Sequence, residues 1–357
     1  MKLSWISIIP ILLVGCSSIG QQLAPHLAYV APTKAESEII AKGGRYYENK
    51  KYDQAIKQYL SVLEKNPHNA AAMYVLGMTY YAQHDYKNSL RYASRSAMYD
   101  SPFLAQVYLL LGLSHEKLGQ LPEAIQVYEP ATARFAQNTE LKYRLAISYL
   151  YVDRPEDAAE IFKQIIAQDP YHAQSHFQLG LAYYQYDYKT PALLSLMTYL
   201  LIEPDSPRSL TAAIMIEDIF KSGVIIDEKT KAVTLAVNPD AHTDEGDFRL
   251  IDIELSARRA ELLSSKAKQS EMQIKLEQLT SYLLTLSQLE TTKNNRFFVF
   301  RHYQPFYKQV YKGNLTPALL NYTLQPLKDK QSRKWVASNR KQIEELKLLF
   351  LKFNWNL

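Results

Sequence analysis

Leu76-Gly77-Met78-Thr79-Tyr80 sets a small residue behind an apolar one, with an aromatic ring three positions further on. Twelve residues after Gly77 comes a second small residue, Ser89, and four later Ala93. The arrangement recurs. It reads Lys42-Gly43 with Tyr46, Leu111-Gly112 with His115, Leu145-Ala146 with Tyr149, and Leu179-Gly180 with Tyr183. The marker residues lie 34, 35, 34 and 34 positions apart. The second register keeps its offset at Ala55, Ala124, Ala158 and Ala192, followed by Tyr59, Tyr128, Phe162 and Leu196. Pro67, Pro102, Pro170 and Pro204 close most units. The single inserted residue falls near Ser101-Pro102, in a connection between units.

Each unit holds two apolar runs at helical spacing, parted by a short break rich in Asp, Gly, Asn or Pro. The small residue of the first helix lets the second helix of the same unit approach closely. Pro122, Pro155 and Pro191 fall near the starts of second helices, where a missing N–H costs little and the fixed φ suits the first turn. Ser206-Pro207 reads as the start of one more helix, 208–222, stopped by Gly223. A stack of such pairs needs an atypical end element to cover its last apolar face, and this helix is the candidate.

Period and residue order together resemble the tetratricopeptide repeat. The resemblance implies an all-α fold: a right-handed solenoid of five helix pairs over 36–206 (36–69, 70–104, 105–138, 139–172 and 173–206), a capping helix over 207–223, a linker over 224–247 and a helical C-terminal domain over 248–357. It also implies that the first helices line a concave face for holding other proteins. Carried over position by position, that face would present Tyr47, Tyr74, Met78, Tyr81, Leu109, Leu113, Tyr143, Ile147, Tyr151, Phe177, Leu181 and Tyr184, with Glu48, Glu116, Lys117 and Glu140 among its charges. Tyrosine offers large contact area with little rotamer entropy to lose, which suits an apolar peptide or helix. The Lys/Asn/Arg clamp of the chaperone-binding members is absent.

The N-terminus reads as an address. Met1-Lys2 is basic and Leu3–Val14 is largely apolar, too short for a spanning helix of roughly 20 residues and fitting a secretory signal over 1–15. Leu13-Val14-Gly15-Cys16 resembles the bacterial lipoprotein box, which implies lipid on Cys16, the only cysteine of the chain. Acylation there would anchor the protein stably in a membrane. Ser17 rather than Asp follows, so the resemblance implies the outer membrane, facing the periplasm. Residues 16–35 would form a lipidated tether with a reach on the order of 25 Å.

Beyond Gly223 the repeat ends. Val233–Val237 suggests a short strand, and apolar spacing from 248 to 289 suggests two helices. A third helix, 296–312, would place Phe300, Tyr303, Tyr307 and Tyr311 on one face. Thr316-Pro317 starts a fourth, and Ser338 would cap a last one reaching Phe353. This region is long enough for a core of its own. It is also basic. From Thr291 to Leu357 thirteen Lys/Arg face three acids, a net +10 in a chain that totals +5, so the remainder carries −5. Arg333, Lys334, Arg340 and Lys341 form a candidate basic surface for anionic lipid or glycan, over an aromatic core; an export address argues against nucleic acid.

No catalytic constellation stands out: there is no Gly-rich phosphate loop, no Gly-x-Ser-x-Gly elbow and no free cysteine nucleophile once Cys16 is acylated. His172 and His176 are spaced as a helical metal pair but lack a third ligand, and aromatic packing at a repeat junction explains them better. The expectation is a non-enzymatic scaffold without metal or cofactor, binding envelope proteins and serving envelope, secretion or pilus assembly. Similar architecture occurs in pilotin-type lipoproteins and in lipoprotein adaptors of peptidoglycan enzymes. The rival reading is a cell-wall or lipid binder working through the basic C-terminal region.

Overall fold

The computed structural model describes residues 25–227, 229–230, 232–235, 246–265, 269–289 and 297–355. The signal segment, Cys16 and the first part of the tether lie outside the described residues, as does Arg296. The chain divides into two compact units, Met1–Ala158 and Ala159–Leu357.

In the first unit run α1 (Lys34–Glu48), α2 (Tyr52–Lys65), α3 (Ala70–Ala82), α4 (Tyr86–Ala97), α5 (Leu104–Lys117), α6 (Leu121–Arg134), α7 (Thr139–Tyr151) and the opening of α8 (Pro155–Gln168). Their starts follow the polar breaks: Thr33 and Glu36 make a reciprocal capping box, while Asn69, Asp85 and Asn138 accept from the N–H three residues on. Within a pair, the small residue does what its spacing suggested. A Cβ built on Gly43 would lie 2.3 Å from the Tyr59 ring, and one on Gly112 would lie 2.1 Å from Tyr128. Each glycine is the seat for the ring four residues into the second register.

The turn joining the two helices of a repeat is closed the same way five times. The marker carbonyls of Tyr46, Tyr80, His115, Tyr149 and Tyr183 accept from the N–H of Lys51, Asp85, Gln120, Arg154 and Tyr188. The residue just before each donor, Lys50, His84, Gly119, Asp153 or Asp187, sits at φ between 57° and 75°. This is a Schellman closure with one left-handed residue, which satisfies the last carbonyls of the first helix.

Part of the expected tether is held rather than free. β1 (Leu27–Ala28) pairs in parallel with β2 (Tyr99–Asp100), and Tyr29 packs edge-on against Phe103 at 5.5 Å. β2 lies just ahead of Ser101-Pro102, where the repeat carries its extra residue, and the extended backbone there supplies the edge that β1 uses.

The second unit holds the rest of α8, then α9 (Ala173–Gln185), α10 (Lys189–Ile202) and the capping helix α11 (Ser209–Lys221). A hairpin of β3 (Val224–Ile226) and β4 (Val233–Leu235) follows, so the suggested strand forms over its first three residues. Then come α12 (Arg249–Ser264), α13 (Glu271–Gln288), α14 (Gln304–Lys312), α15 (Thr316–Thr323), α16 (Lys330–Ser338) and α17 (Arg340–Lys352). The predicted third helix begins as a wide π turn, Val299–Tyr303, because Pro305 has no N–H to return to the preceding turn. Ser338 ends α16 instead of capping the last helix, whose N-cap is Asn339; α16 itself was not anticipated.

α10 explains how this unit is built. Every residue from Lys189 to Leu201 is buried, and α9, α11, α12, α15 and the π turn surround it. A helix apolar on all sides needs neighbours on all sides. The Tyr307 hydroxyl donates to the Leu194 carbonyl at 2.9 Å, and Gln278 Nε2 donates to the Phe220 and Leu255 carbonyls. Lys275 pairs with Glu217 of the capping helix at 2.6 Å. The separate C-terminal core expected from the sequence is thus corrected: these helices share one core with the fifth repeat. Among the described residues no helix is long and apolar enough to cross a membrane.

Candidate partner-binding face

Successive first helices α1, α3, α5 and α7 pack on one another, which brings their equivalent positions into rows. Tyr47, Tyr74, Met78, Tyr81, Leu109, Leu113 and Ile147 are half-buried on them, and Tyr151 is 72% exposed. Tyr74 spends one ring face on Phe103, stacked at 5.3 Å, and Tyr81 leans on Tyr86 at 5.3 Å. Tyr143, expected on the open face, is buried at 7% exposure.

Within this face sits a polar element whose depth the sequence reading missed. Glu116 of α5 accepts from the Tyr128 hydroxyl at 2.9 Å, and burial pushes its carboxyl above the ordinary range although Tyr128 and Arg144 favour the charged form. Arg144 of α7 donates to Glu140 at 2.8 Å. Burial raises the Tyr81 hydroxyl, with Tyr86 and Glu116 adding to the effect. The face is therefore apolar at its flanks with a half-buried acid between them, able to take a cationic or donor group of a partner.

In the second unit the equivalent positions fare much as in the first, Phe177 being closed as Tyr143 is. Phe177 is buried against Tyr199 at 5.1 Å, with the Arg208 guanidinium 6.0 Å from its ring, so it offers no open ring. Leu181 and Tyr184 stay half-buried, and the Tyr184 hydroxyl donates to Asp218 at 3.2 Å. His172 caps α9 by accepting from Ser175 N. His176 is fully buried; its Nε2 meets the Pro170 carbonyl at 2.9 Å, so that nitrogen carries the proton, and Nδ1 accepts from the Tyr303 hydroxyl at 2.8 Å. Burial lowers its pKa to about 4. His302 lies between Phe298 and Trp355, each 4.9 Å away, and burial lowers it further. Both histidines are core residues, and among the described residues no cluster of His, Cys, Asp or Glu is placed to hold a metal.

Arg333 and Lys334 are exposed on α16, as are Arg340 and Lys341 on α17, where Lys341 approaches Glu345 at 3.9 Å. Leu348 and Leu351 of α17 are 50% and 66% exposed beside Lys347 and Lys352.

Tetratricopeptide-repeat patterns match residues 40–105, 79–139 and 117–170. No curated protein matches the chain. Among solved structures, PilF of Pseudomonas aeruginosa is similar at 19% identity and a TM-score of 0.47, over 53% of this chain and 85% of that one. MamA is similar at 22% identity and 0.42, over 45% and 94%. YrrB, described as a tetratricopeptide protein with an unusual peptide-binding site, is similar at 21% and 0.43, over 50% and 90%. The repeated sequence, the five-fold recurrence of one turn and the matched patterns agree: the chain carries tetratricopeptide repeats in an all-α fold with a helical C-terminal region.

Proposed function

We propose that this protein is a scaffold of the bacterial envelope, held at the outer membrane by lipid on Cys16 and facing the periplasm, which binds partner proteins along the first helices of its first unit. Tetratricopeptide repeats are protein–protein interaction scaffolds, typically without enzymatic activity. One observation carries the reading: Tyr81, Leu113 and Tyr151, from three successive first helices, keep apolar surface open to solvent, Tyr151 most of all at 72% exposed. Aromatic and aliphatic anchors around a half-buried Glu116 suit an apolar segment that brings a basic or amide group. The signal-like start and Leu13–Cys16 support the address, and with it a role in envelope, secretion or pilus assembly.

The test is co-purification of envelope proteins with wild type and with a Tyr81→Ala, Leu113→Ala, Tyr151→Ala triple variant that keeps its helical circular dichroism. Loss of the same partner band supports the reading; an unchanged band removes it. For the anchor, Cys16→Ser should abolish incorporation of a palmitate analogue, and wild type that incorporates none would contradict it.

A second reading has an observation of its own. Leu348 and Leu351 stand exposed among Arg340, Lys341, Lys347 and Lys352, a pattern suited to an anionic lipid surface. Flotation with anionic against zwitterionic vesicles, repeated with charge reversals at Arg333, Lys334, Arg340 and Lys341, decides it. Equal flotation on both vesicles rules this reading out.

A further inference from the structure

A cleft of about 290 Å³ opens in the second unit between the turn of the fifth repeat and the capping helix, lined among others by Tyr184, Asp187, Tyr188, Lys189, Asp218 and Ser222. Lys189 is the anomaly. It is the first residue of α10 and only 6% exposed, yet among the described residues its ammonium has no hydrogen bond or ion pair. The nearby Asp252 carboxylate accepts from the Thr190 hydroxyl at 2.7 Å and attracts the ammonium through space. Gly223 stands at φ +75°, where a Cβ would come 2.2 Å from Ser256 Oγ and 3.3 Å from Lys189 Nζ. An ammonium that lines a cleft with no direct hydrogen bond is free to take an acceptor that enters from outside. Around the same cleft stand two carboxylates. Asp218 accepts from Tyr184, and Asp187 occupies the exposed left-handed position of the turn.

We propose that this cleft binds a small zwitterion, its carboxylate on Lys189 Nζ, its ammonium between Asp218 and Asp187, and its carbon chain against the rings of Tyr184 and Tyr188. Cation, anions and rings together match that ligand class, and their number matches the few convergent polar groups of a small-molecule site. The zwitterion could be a free amino acid or the last residue of a peptide that carries a basic side chain. The inference is independent of partner binding by the first unit and survives its failure.

The experiment is calorimetric titration of the whole chain with L-lysine, with N-acetyl-glycyl-glycyl-L-lysine and with L-lysinamide, which lacks the carboxylate. Binding of L-lysine alone identifies a free amino acid, and binding of the acetylated peptide identifies a chain end. In either case lysinamide should bind roughly tenfold more weakly or worse, the ordinary worth of a hydrogen bond to a charged group. Lys189→Met keeps the length and apolar stem of the side chain, and should weaken binding by a similar factor while the thermal midpoint holds. No binding by either carboxylate-bearing probe overturns the proposal, as does equal binding of lysinamide or unchanged binding in Lys189→Met. Full retention of L-lysine affinity in an Asp187→Asn, Asp218→Asn variant would leave a plain carboxylate site and overturn the zwitterion.

Discussion

Tyr151 on α7 keeps most of its ring in solvent and Tyr81 on α3 is half-buried, whereas Tyr303 and Tyr307 in the second unit are wholly enclosed. Both regions are rich in tyrosine and both are helical, so composition does not separate them. The neighbourhood does. In the first unit each first helix meets its own second helix, the second helix before it and the next first helix, and the stripe left over includes Tyr151 at 72% exposed. In the second unit α10 is enclosed on every side, and the rings of α14 close over it, with the Tyr307 hydroxyl on the Leu194 carbonyl. The same residue type is a contact surface in one place and core in the other.

The sharpest way to break this comparison is truncation. Tyr307→Ala should cost about 3–5 kcal/mol in denaturant unfolding, since a fully buried ring leaves a cavity when truncated. A cost near zero would mean that the second unit does not rest on its rings.

Next comes acid. The His176 imidazole is neutral in the fold with its pKa lowered to about 4, against an ordinary value near 6.5. As pH falls through that window the unfolded chain takes up a proton that the folded chain refuses. Stability is therefore intact above about 6.5 and lost as pH falls, by roughly 3 kcal/mol from this residue by pH 4. Asp252 runs the other way: burial pushes its carboxyl up to about 7, so its contribution is present at low pH and lost as pH rises toward 7. Unfolding of Asp252→Asn at stepped pH should show the acid loss without that opposing contribution, with His302 and the lowered Glu217 carboxyl adding to His176. A flat profile there would contradict the buried-histidine core.

A smaller effect separates two adjacent kinds of glycine. Gly112→Ala must drive a methyl into the Tyr128 ring and should cost about 1–3 kcal/mol, whereas Gly44, with nothing within 4 Å, should gain about 0.5–1 kcal/mol as Ala. Thermal unfolding of the two variants checks both signs. Smallest of all, Tyr151→Ala should leave stability within about 0.5 kcal/mol, because an exposed ring supports little of the fold.

The helix pairs and their close contacts were legible because a 34-residue period repeats the same sterics, as Gly43 with Tyr59 and Gly112 with Tyr128 confirm. The left-handed turn residue was not, since Lys50, His84, Asp153 and Asp187 stand where only Gly119 advertises the conformation. Tyr143 and Tyr151 lie on one helix, about 80° apart around its axis, enough to bury one and expose the other. The shared core of the second unit did leave a signal in the run Pro191–Ile202, which has no polar face to turn outward. Lys189 and Asp218 left none, because they meet through the turn of one repeat and the end of another helix.

Site-specific photocrosslinking in cells tests the central claim most directly. A crosslinker placed at Tyr81, Leu113 or Tyr151 should yield one common adduct, absent when it replaces Lys57 or Arg91 on second helices. Adducts that are missing from the first helices, or equally abundant from both, would contradict a partner-binding face there.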